Sequence, residues 1–199
     1  MLTRPLLPLA RRPSPPRMPI TALWIAAAAI VAPTIAAAAP PDLTWAQLSP
    51  PGYRAQAVLD RLGVDQLEDR DARAEAILAE VQRQWQKAPP IRRMPDGPVR
   101  MTGFPVMLSE GDKPVTQILL VPYYGACIHS PPPPANQAVL VTLDRELPRQ
   151  MDQFPVWVTG TLEHAPAVTP HGRVLYRMRE ASWQPHPWPR QPLPVYRLP

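Results

Sequence analysis

The sequence has little cysteine, glycine and charge, and each shortage excludes a class of protein. A single cysteine among 199 residues excludes a disulfide framework within the chain. Eight glycines are too few for a collagen-like repeat, which needs glycine at every third position. Charged residues make up 19% of the chain, below the roughly 25% of an average soluble domain. Proline is in excess instead, at 32 residues. A mainly helical bundle is therefore excluded, because an interior proline costs a helix about 3 kcal/mol.

Positive charge is concentrated at the N-terminus, which has no acidic residue before Asp42. Four arginines precede the apolar stretch 20–32, and a run of alanines follows it. These arginines are Arg4, Arg11, Arg12 and Arg17. A basic region, a short apolar region and small residues in this order are typical of a Sec-type signal peptide. We expect residues 1–39 to be the signal peptide, cleaved after Ala38 or Ala39.

Removal of this segment would change the charge of the protein and the partners that the charge favours. Four of the 21 basic residues would be lost, which leaves 17 basic and 16 acidic residues. Nucleic-acid binding depends on clustered Lys and Arg, so this near-neutral balance argues against a nucleic-acid partner. We expect a periplasmic or otherwise exported protein. Contact with a membrane is expected only if the signal peptide stays uncleaved, since 20–32 is shorter than the about 20 residues of a comfortable span.

Two helices are expected in the segment 40–97, which is otherwise extended. The first lies within 53–63 and ends at Gly63, a residue type favoured just after a helix. The second lies within 70–87, after Asp69 or Asp71 as a cap. Its apolar residues recur at the spacing of one helical face, and we expect this face to pack on a core. They are Ala74, Ile77, Leu78, Val81 and Trp85.

From residue 98 onward, short apolar runs separated by turn residues predict β-strands. The expected strands are Val99–Leu108, Val115–Tyr124, Ala126–His129, Gln137–Leu143, Pro155–Leu162 and Arg173–Trp183. The fold class is therefore mainly β with an N-terminal helix, as a small OB-like, partly open barrel over 98–184. The Pro-rich segment 185–199 is expected to be an extended tail.

The most informative stretch is 118–139, where Cys127 and His129 precede a run of four prolines. We call residues 131–134 the proline loop, because prolines fix the backbone and make such a connection stiff. Residues two apart on a strand point to the same face. The Cys127 thiolate and the His129 imidazole could therefore bind one Zn²⁺ or Cu⁺ ion.

This stretch resembles the signature of the DUF3299 family of exported bacterial proteins. The similarity is carried by Leu119 to His129, by Pro131, Pro132, Pro133 and Pro134, and by Asn136-Gln137. Further matching pieces are Trp45, Leu48 and Pro50, Ala88-Pro89, residues 99–104, residues 155–162, and Gly172 with Tyr176. The resemblance implies an exported protein, and in some members a place beside ABC-type transporters for metal uptake. It implies no reaction.

Three interpretations follow for this stretch. In the first, Cys127 and His129 bind zinc in a transport accessory protein, with His164 and His171 completing the site. In the second, the loop docks a protein partner, such as a periplasmic or membrane component of a transporter. The docking residues would be Tyr123, Tyr124, Pro131, Pro132, Pro133, Pro134, Asn136 and Gln137. In the third, Cys127 is a nucleophile activated by His129, with Asn136 or Asp144 as the orienting group.

The alternative to all three is a purely structural role, with Cys127 buried and His129 hydrogen-bonded, since free cysteine is among the most buried residue types. No known nucleophile signature accompanies the pair. We therefore expect an exported accessory or binding protein rather than an enzyme.

Overall fold

Helices precede strands in the structure, a computed structural model that describes residues 38–68, 71–111, 113–126 and 132–187. The two α-helices are α1, Gln56–Leu62, and α2, Ala74–Trp85. Short 3₁₀ turns occupy Trp45–Leu48, Val64–Gln66 and Arg149–Gln153. None of the helices in these parts of the chain has the length and apolar character needed to cross a membrane.

The helix boundaries follow the local sequence signals. Helix α1 ends at Gly63, whose φ of 64° is left-handed, as predicted. Before α2, the Asp71 carboxylate accepts a hydrogen bond from the backbone N–H of Arg73 at 2.8 Å. Asp69, the other predicted cap, lies outside the described residues.

The apolar face of α2 is buried only toward its C-terminal end. Val81 and Trp85 are buried and pack with Ala55 and Val58 of the preceding segment. Leu78 remains 37% exposed. The short α1 covers only part of the face of α2, so the prediction of a buried face holds for only part of the helix.

Five strands form a closed ring, in which every strand has two hydrogen-bonded neighbours. The strands are β1, Pro98–Met107, β2, Gln117–Val121, β3, Val139–Leu143, β4, Val156–Thr169, and β5, Gly172–Pro185. Their order is β1-β2-β3-β5-β4, with β4 pairing back to β1. The β3–β5 pair is parallel and the other pairs are antiparallel. The prediction of a mainly β fold with an N-terminal helix is confirmed, and the ring is closed where a partly open barrel was predicted. The predicted strand 126–129 lies almost entirely outside the described residues.

Strand β4 is longer than the sequence predicted, running to Thr169 instead of ending at Leu162. The pairing of β1 with β4 ends at Thr161, so the rest of β4 has only β5 beside it among the described strands. Proline is tolerated on such an edge because no neighbour needs its missing N–H. The register shifts between His164 and Ala167, around Pro166. The proline therefore distorts the strand and does not end it.

Alternating side chains of the ring divide between two apolar clusters. The larger cluster receives residues from all five strands, for example Met101, Ile118 and Tyr176, and we assign it to the inside of the ring. Trp45 and Leu48 of the first 3₁₀ turn belong to the same cluster. The N-terminal segment therefore packs as part of the β domain.

Candidate functional site

The proline loop is fixed to the fold at its C-terminal end. Pro133 and Pro134 are buried, Pro132 is half-buried, and Pro131 lies outside the described residues. The next residue, Ala135, donates its N–H to the Trp85 carbonyl at 3.0 Å, at the end of α2. Its carbonyl accepts the N–H of Leu175 in β5 at 2.9 Å. One residue thus joins the end of the helix to the ring.

Asn136 and Gln137 tie the same segment to the N-terminal part of the chain. Both side chains are fully buried. Gln137 Nε2 donates to the Trp45 carbonyl and to Ser49 Oγ, both at 3.0 Å. Asn136 Nδ2 donates to the Pro89 carbonyl at 3.0 Å and to Ser49 Oγ at 3.3 Å.

These contacts bear on the prediction that Asn136 and Gln137 dock a partner. Buried polar groups must be hydrogen-bonded, and unmade bonds cost stability. The two amide nitrogens therefore help to position the loop, and neither side chain is open to solvent. Asn136 Oδ1 has no hydrogen-bond partner among the described residues. Pro133 and Pro134 are buried beside them.

The buried hydroxyl of Tyr176 supports the same region. Tyr176 of β5 is fully buried, and its hydroxyl donates to the Leu48 carbonyl at 2.9 Å. The same oxygen accepts the N–H of Ile91 at 2.8 Å. Burial raises the pKa of Tyr176 above its ordinary value. The neutral phenol thus links the first 3₁₀ turn, the segment after α2 and the ring.

The two predicted tyrosines differ in exposure. Tyr124 is 55% exposed, and its ring meets Phe104 edge-on at a centroid distance of 5.8 Å. Tyr123 is partly buried and packs on the smaller apolar cluster. Of the predicted docking residues in the described part of the chain, Tyr124 is thus the most open to a partner.

The predicted metal ligands Cys127 and His129 lie outside the described residues. Their described neighbours are Ala126, which is fully buried, and Pro132. The described part of the chain contains no group of three or more His, Cys, Asp or Glu side chains placed to hold a metal ion.

The two histidines predicted to complete a metal site lie far apart. His164 is in β4, and its ring meets that of Tyr176 edge-on at 6.3 Å. His171 is in the turn after Thr169. Thr169, the last residue of β4, lies five residues beyond His164, which is about 16 Å along the strand at about 3.3 Å per residue, and His171 follows at that far end. The two imidazoles therefore cannot bind one ion together.

A groove of about 760 Å³ lies between α2 and the tip of the β4–β5 hairpin. We call it the basic groove. Its lining residues are Ala79, Gln82, Arg83, Gln86, Lys87, Pro132, Val168, Pro170, His171, Gly172 and Arg173. Three of them carry a permanent positive charge, and no Asp or Glu is among these described lining residues. Pro132 places the end of the proline loop in its wall.

Gln86 joins the two walls of the basic groove. Its side-chain Oε1 accepts the N–H of Arg173 at 2.7 Å, and its carbonyl accepts from Arg173 Nη1 at 3.3 Å. Gly172, with φ of 110°, leaves room for this contact, because a Cβ there would lie 3.0 Å from Gln86 Nε2. The glycine thus allows the hairpin turn to approach the helix closely.

Sequence reasoning missed the basic groove because its walls are more than 80 residues apart in the chain. One local signal was available. Arg83 and Lys87 are four residues apart, a spacing that puts two side chains on one face of a helix, although α2 itself ends just before Lys87. The position of the hairpin tip against that face depends on the ring topology, which the sequence pattern did not specify.

The comparisons with known proteins identify a family. The model of DUF3299, described as a protein of unknown function, matches residues 45–185. A crystal structure of a DUF3299 family protein from Pseudomonas aeruginosa PAO1 is similar, with 31% sequence identity and a TM-score of 0.57. The similarity covers 75% of this chain and 98% of that one. No curated protein matches the chain significantly.

Proposed function

Because the chain belongs to the DUF3299 family, a family of unknown function, we propose a role from its own surface. It is an exported accessory protein that acts by binding a partner rather than by catalysis. The observation that carries this proposal is the position of Pro132 in the wall of the basic groove. Hydrogen bonds that fix a loop would not by themselves suggest binding, but a stiff loop held at an open groove does.

The rigidity of this end of the molecule supports a binding role. Ala135, Asn136 and Gln137 fix the segment after the proline loop from three sides. Gln86 holds the hairpin against α2. Walls that are ordered before a ligand arrives lower the entropic cost of binding.

A photo-crosslinking experiment in the producing cells tests this proposal. A photoreactive amino acid replaces Val168, an 86% exposed residue of the groove, and in a matched control it replaces Phe154, which is 46% exposed elsewhere. We expect a discrete protein adduct from position 168 that position 154 does not give. The same adducts from both positions, or none from position 168, would contradict the proposal.

Metal handling is a second candidate function, in which Cys127 and His129 bind zinc for an ABC-type transport system. It is favoured by the residue types and by the fixed neighbours of this segment, Ala126 and Pro132. His171 is a poor third ligand, because Arg83, Lys87 and Arg173 in its groove repel a divalent cation. Structural zinc sites take four protein ligands, so a partner component would supply the remaining donors.

Titration with Zn²⁺ and Cu⁺ tests the metal proposal. The full chain is compared with Cys127→Ser and His129→Ala, and His186→Ala, a histidine outside the predicted site, is the matched control. Micromolar or tighter binding that both variants lose and the control keeps is the expected result. Binding that survives in both variants, or no binding by the full chain, would rule out this site.

Export is the third part of the proposal, and it rests on the order of charge and hydropathy in residues 1–39. N-terminal sequencing of the protein recovered from the periplasmic or extracellular fraction tests it. We expect the chain to begin at Ala39 or Pro40. A chain that still begins at Met1 and stays in the cytoplasm would contradict export.

A further inference from the structure

We infer that the basic groove binds an acidic segment of a partner protein, in extended form, with acidic and apolar residues in alternation. This inference rests on the proposed function, because it names the chemistry of the partner that the groove would receive. The inference names the class of ligand and the spacing of its carboxylates along the chain. Both follow from the two walls of the groove.

The charge of the groove favours a ligand with several carboxylates. Arg83 forms a salt bridge with Glu80 at 2.5 Å, outside the lining. Lys87 and Arg173 are exposed, and neither has a carboxylate within 4.0 Å among the described residues. The pKa of Glu80 is lowered first by hydrogen bonds from Gln84 and Arg83 and then by the charges of Arg83 and Lys87, so one carboxylate serves two of the three cations. A ligand with several carboxylates would supply the close partners that Lys87 and Arg173 lack.

The spacing of Arg83 and Lys87 fits an extended chain. Arg83 lies in the last turn of α2, and Lys87 follows just beyond the helix, where its N–H donates to the Gln84 carbonyl at 3.0 Å. The backbone thus keeps winding past the end of the helix, and the four residues rise by about 6 Å. Alternate residues of an extended chain are separated by nearly the same distance, about 6.6 Å, and point to the same side. Carboxylates at alternate positions of a bound segment can therefore face Arg83 and Lys87 in turn.

The opposite wall offers apolar contacts to the residues in between. Val168 is 86% exposed at the hairpin, and Pro170 and Pro132 line the groove with it. An extended segment presents every second side chain to the opposite side. An apolar side chain between two carboxylates would bury Val168, which is otherwise the most exposed large hydrophobic residue of the described chain.

Fluorescence anisotropy with two labelled peptides of identical composition tests the inference. In one, glutamate and leucine alternate; in the other, the glutamates form one block and the leucines another. We expect the purified full chain to bind the alternating peptide about fivefold more tightly, the equivalent of about one ion pair. Binding should weaken as salt rises from about 0.05 M to 0.5 M.

Two charge reversals locate the contact. Lys87→Glu should weaken binding of the alternating peptide by about tenfold, since an attraction becomes a repulsion. Arg92→Glu makes the same charge change at another exposed position, away from the groove lining, and should leave binding within about twofold. Urea unfolding of both variants verifies that they are folded.

Several results would overturn the inference. They are equal affinity for the two peptides, equal effects of the two charge reversals, and no peptide binding. Binding of orthophosphate or of phosphatidylglycerol vesicles with the same dependence on Lys87, in place of the peptide, would also overturn it. In each of these cases a protein adduct from position 168 would leave the proposed function standing, whereas loss of that adduct would remove both.

Discussion

Removal of one buried hydroxyl should weaken the attachment of the N-terminal segment to the ring. Tyr176→Phe deletes the oxygen that accepts from the Ile91 N–H at 2.8 Å and donates to the Leu48 carbonyl at 2.9 Å. Leu48 is fully buried, and Ile91 is half-buried. The substitution changes no other atom of the side chain.

The cost of this change can be calculated from the two groups left without a partner. An unsatisfied buried donor or acceptor costs about 1–3 kcal/mol. Water can reach the half-buried Ile91 N–H in part, so we expect Tyr176→Phe to lower the free energy of unfolding by about 2–4 kcal/mol. Urea unfolding followed by tryptophan fluorescence measures this loss as a shift of the midpoint by roughly 1–2 M.

Tyr53→Phe is the matched control. The Tyr53 hydroxyl is buried and has no hydrogen-bond partner in the described structure. Its removal relieves the cost of burying an unpaired polar group, so stability should stay unchanged or rise by about 1 kcal/mol. A loss of equal size in the two variants, or a loss below about 0.5 kcal/mol in Tyr176→Phe, would refute the reasoning.

Three further changes test other contacts of the ring. Gly103→Ala should destabilise the protein by about 2–4 kcal/mol in urea unfolding, because a Cβ there would lie 2.6 Å from the Val121 carbonyl oxygen. Glu180→Gly should raise the free energy of unfolding by up to about 1 kcal/mol, since Glu180 has a φ of 50° that a side chain disfavours; an unchanged or lowered value would contradict this. The hydrogen bond from Arg100 lowers the pKa of Asp42. The ionised pair therefore stabilises the folded state above about pH 4, and this stabilisation is lost as the pH falls through the folded-state pKa of Asp42. Asp42→Asn should therefore flatten the acid limb of a plot of stability against pH, and an unchanged limb would show that the pair contributes nothing.

Local signals predicted the helices and most strands correctly, because each depends on nearby residues. Gly63 ends α1 through its own left-handed backbone. The alternation in residues 173–183 predicted β5, which runs as Gly172–Pro185. The predicted strand ended at Leu162, whereas β4 continues past Pro166 to Thr169, because a proline is compatible with a strand where no neighbour needs its N–H. That condition depends on the edge position of β4, which only the assembled ring determines.

The candidate site was less predictable than the fold. Asn136 and Gln137 look like exposed polar residues after a proline run, yet both are buried. Their burial depends on partners such as Trp45 and Pro89, which lie 92 and 47 residues away along the chain. The basic groove likewise combines Lys87 and Arg173, which become neighbours only when the hairpin packs on α2. Contacts between distant segments carry no periodic signal in a single sequence.

The central claim is that the protein acts through an acidic partner segment bound at the basic groove. The most direct measurement is the yield of the adduct from a photoreactive residue at position 168, compared between Lys87→Glu and Arg92→Glu in the producing cells. The account predicts that the adduct is lost with Lys87→Glu and retained with Arg92→Glu. An adduct of equal yield in both backgrounds, or no adduct in either, would contradict it.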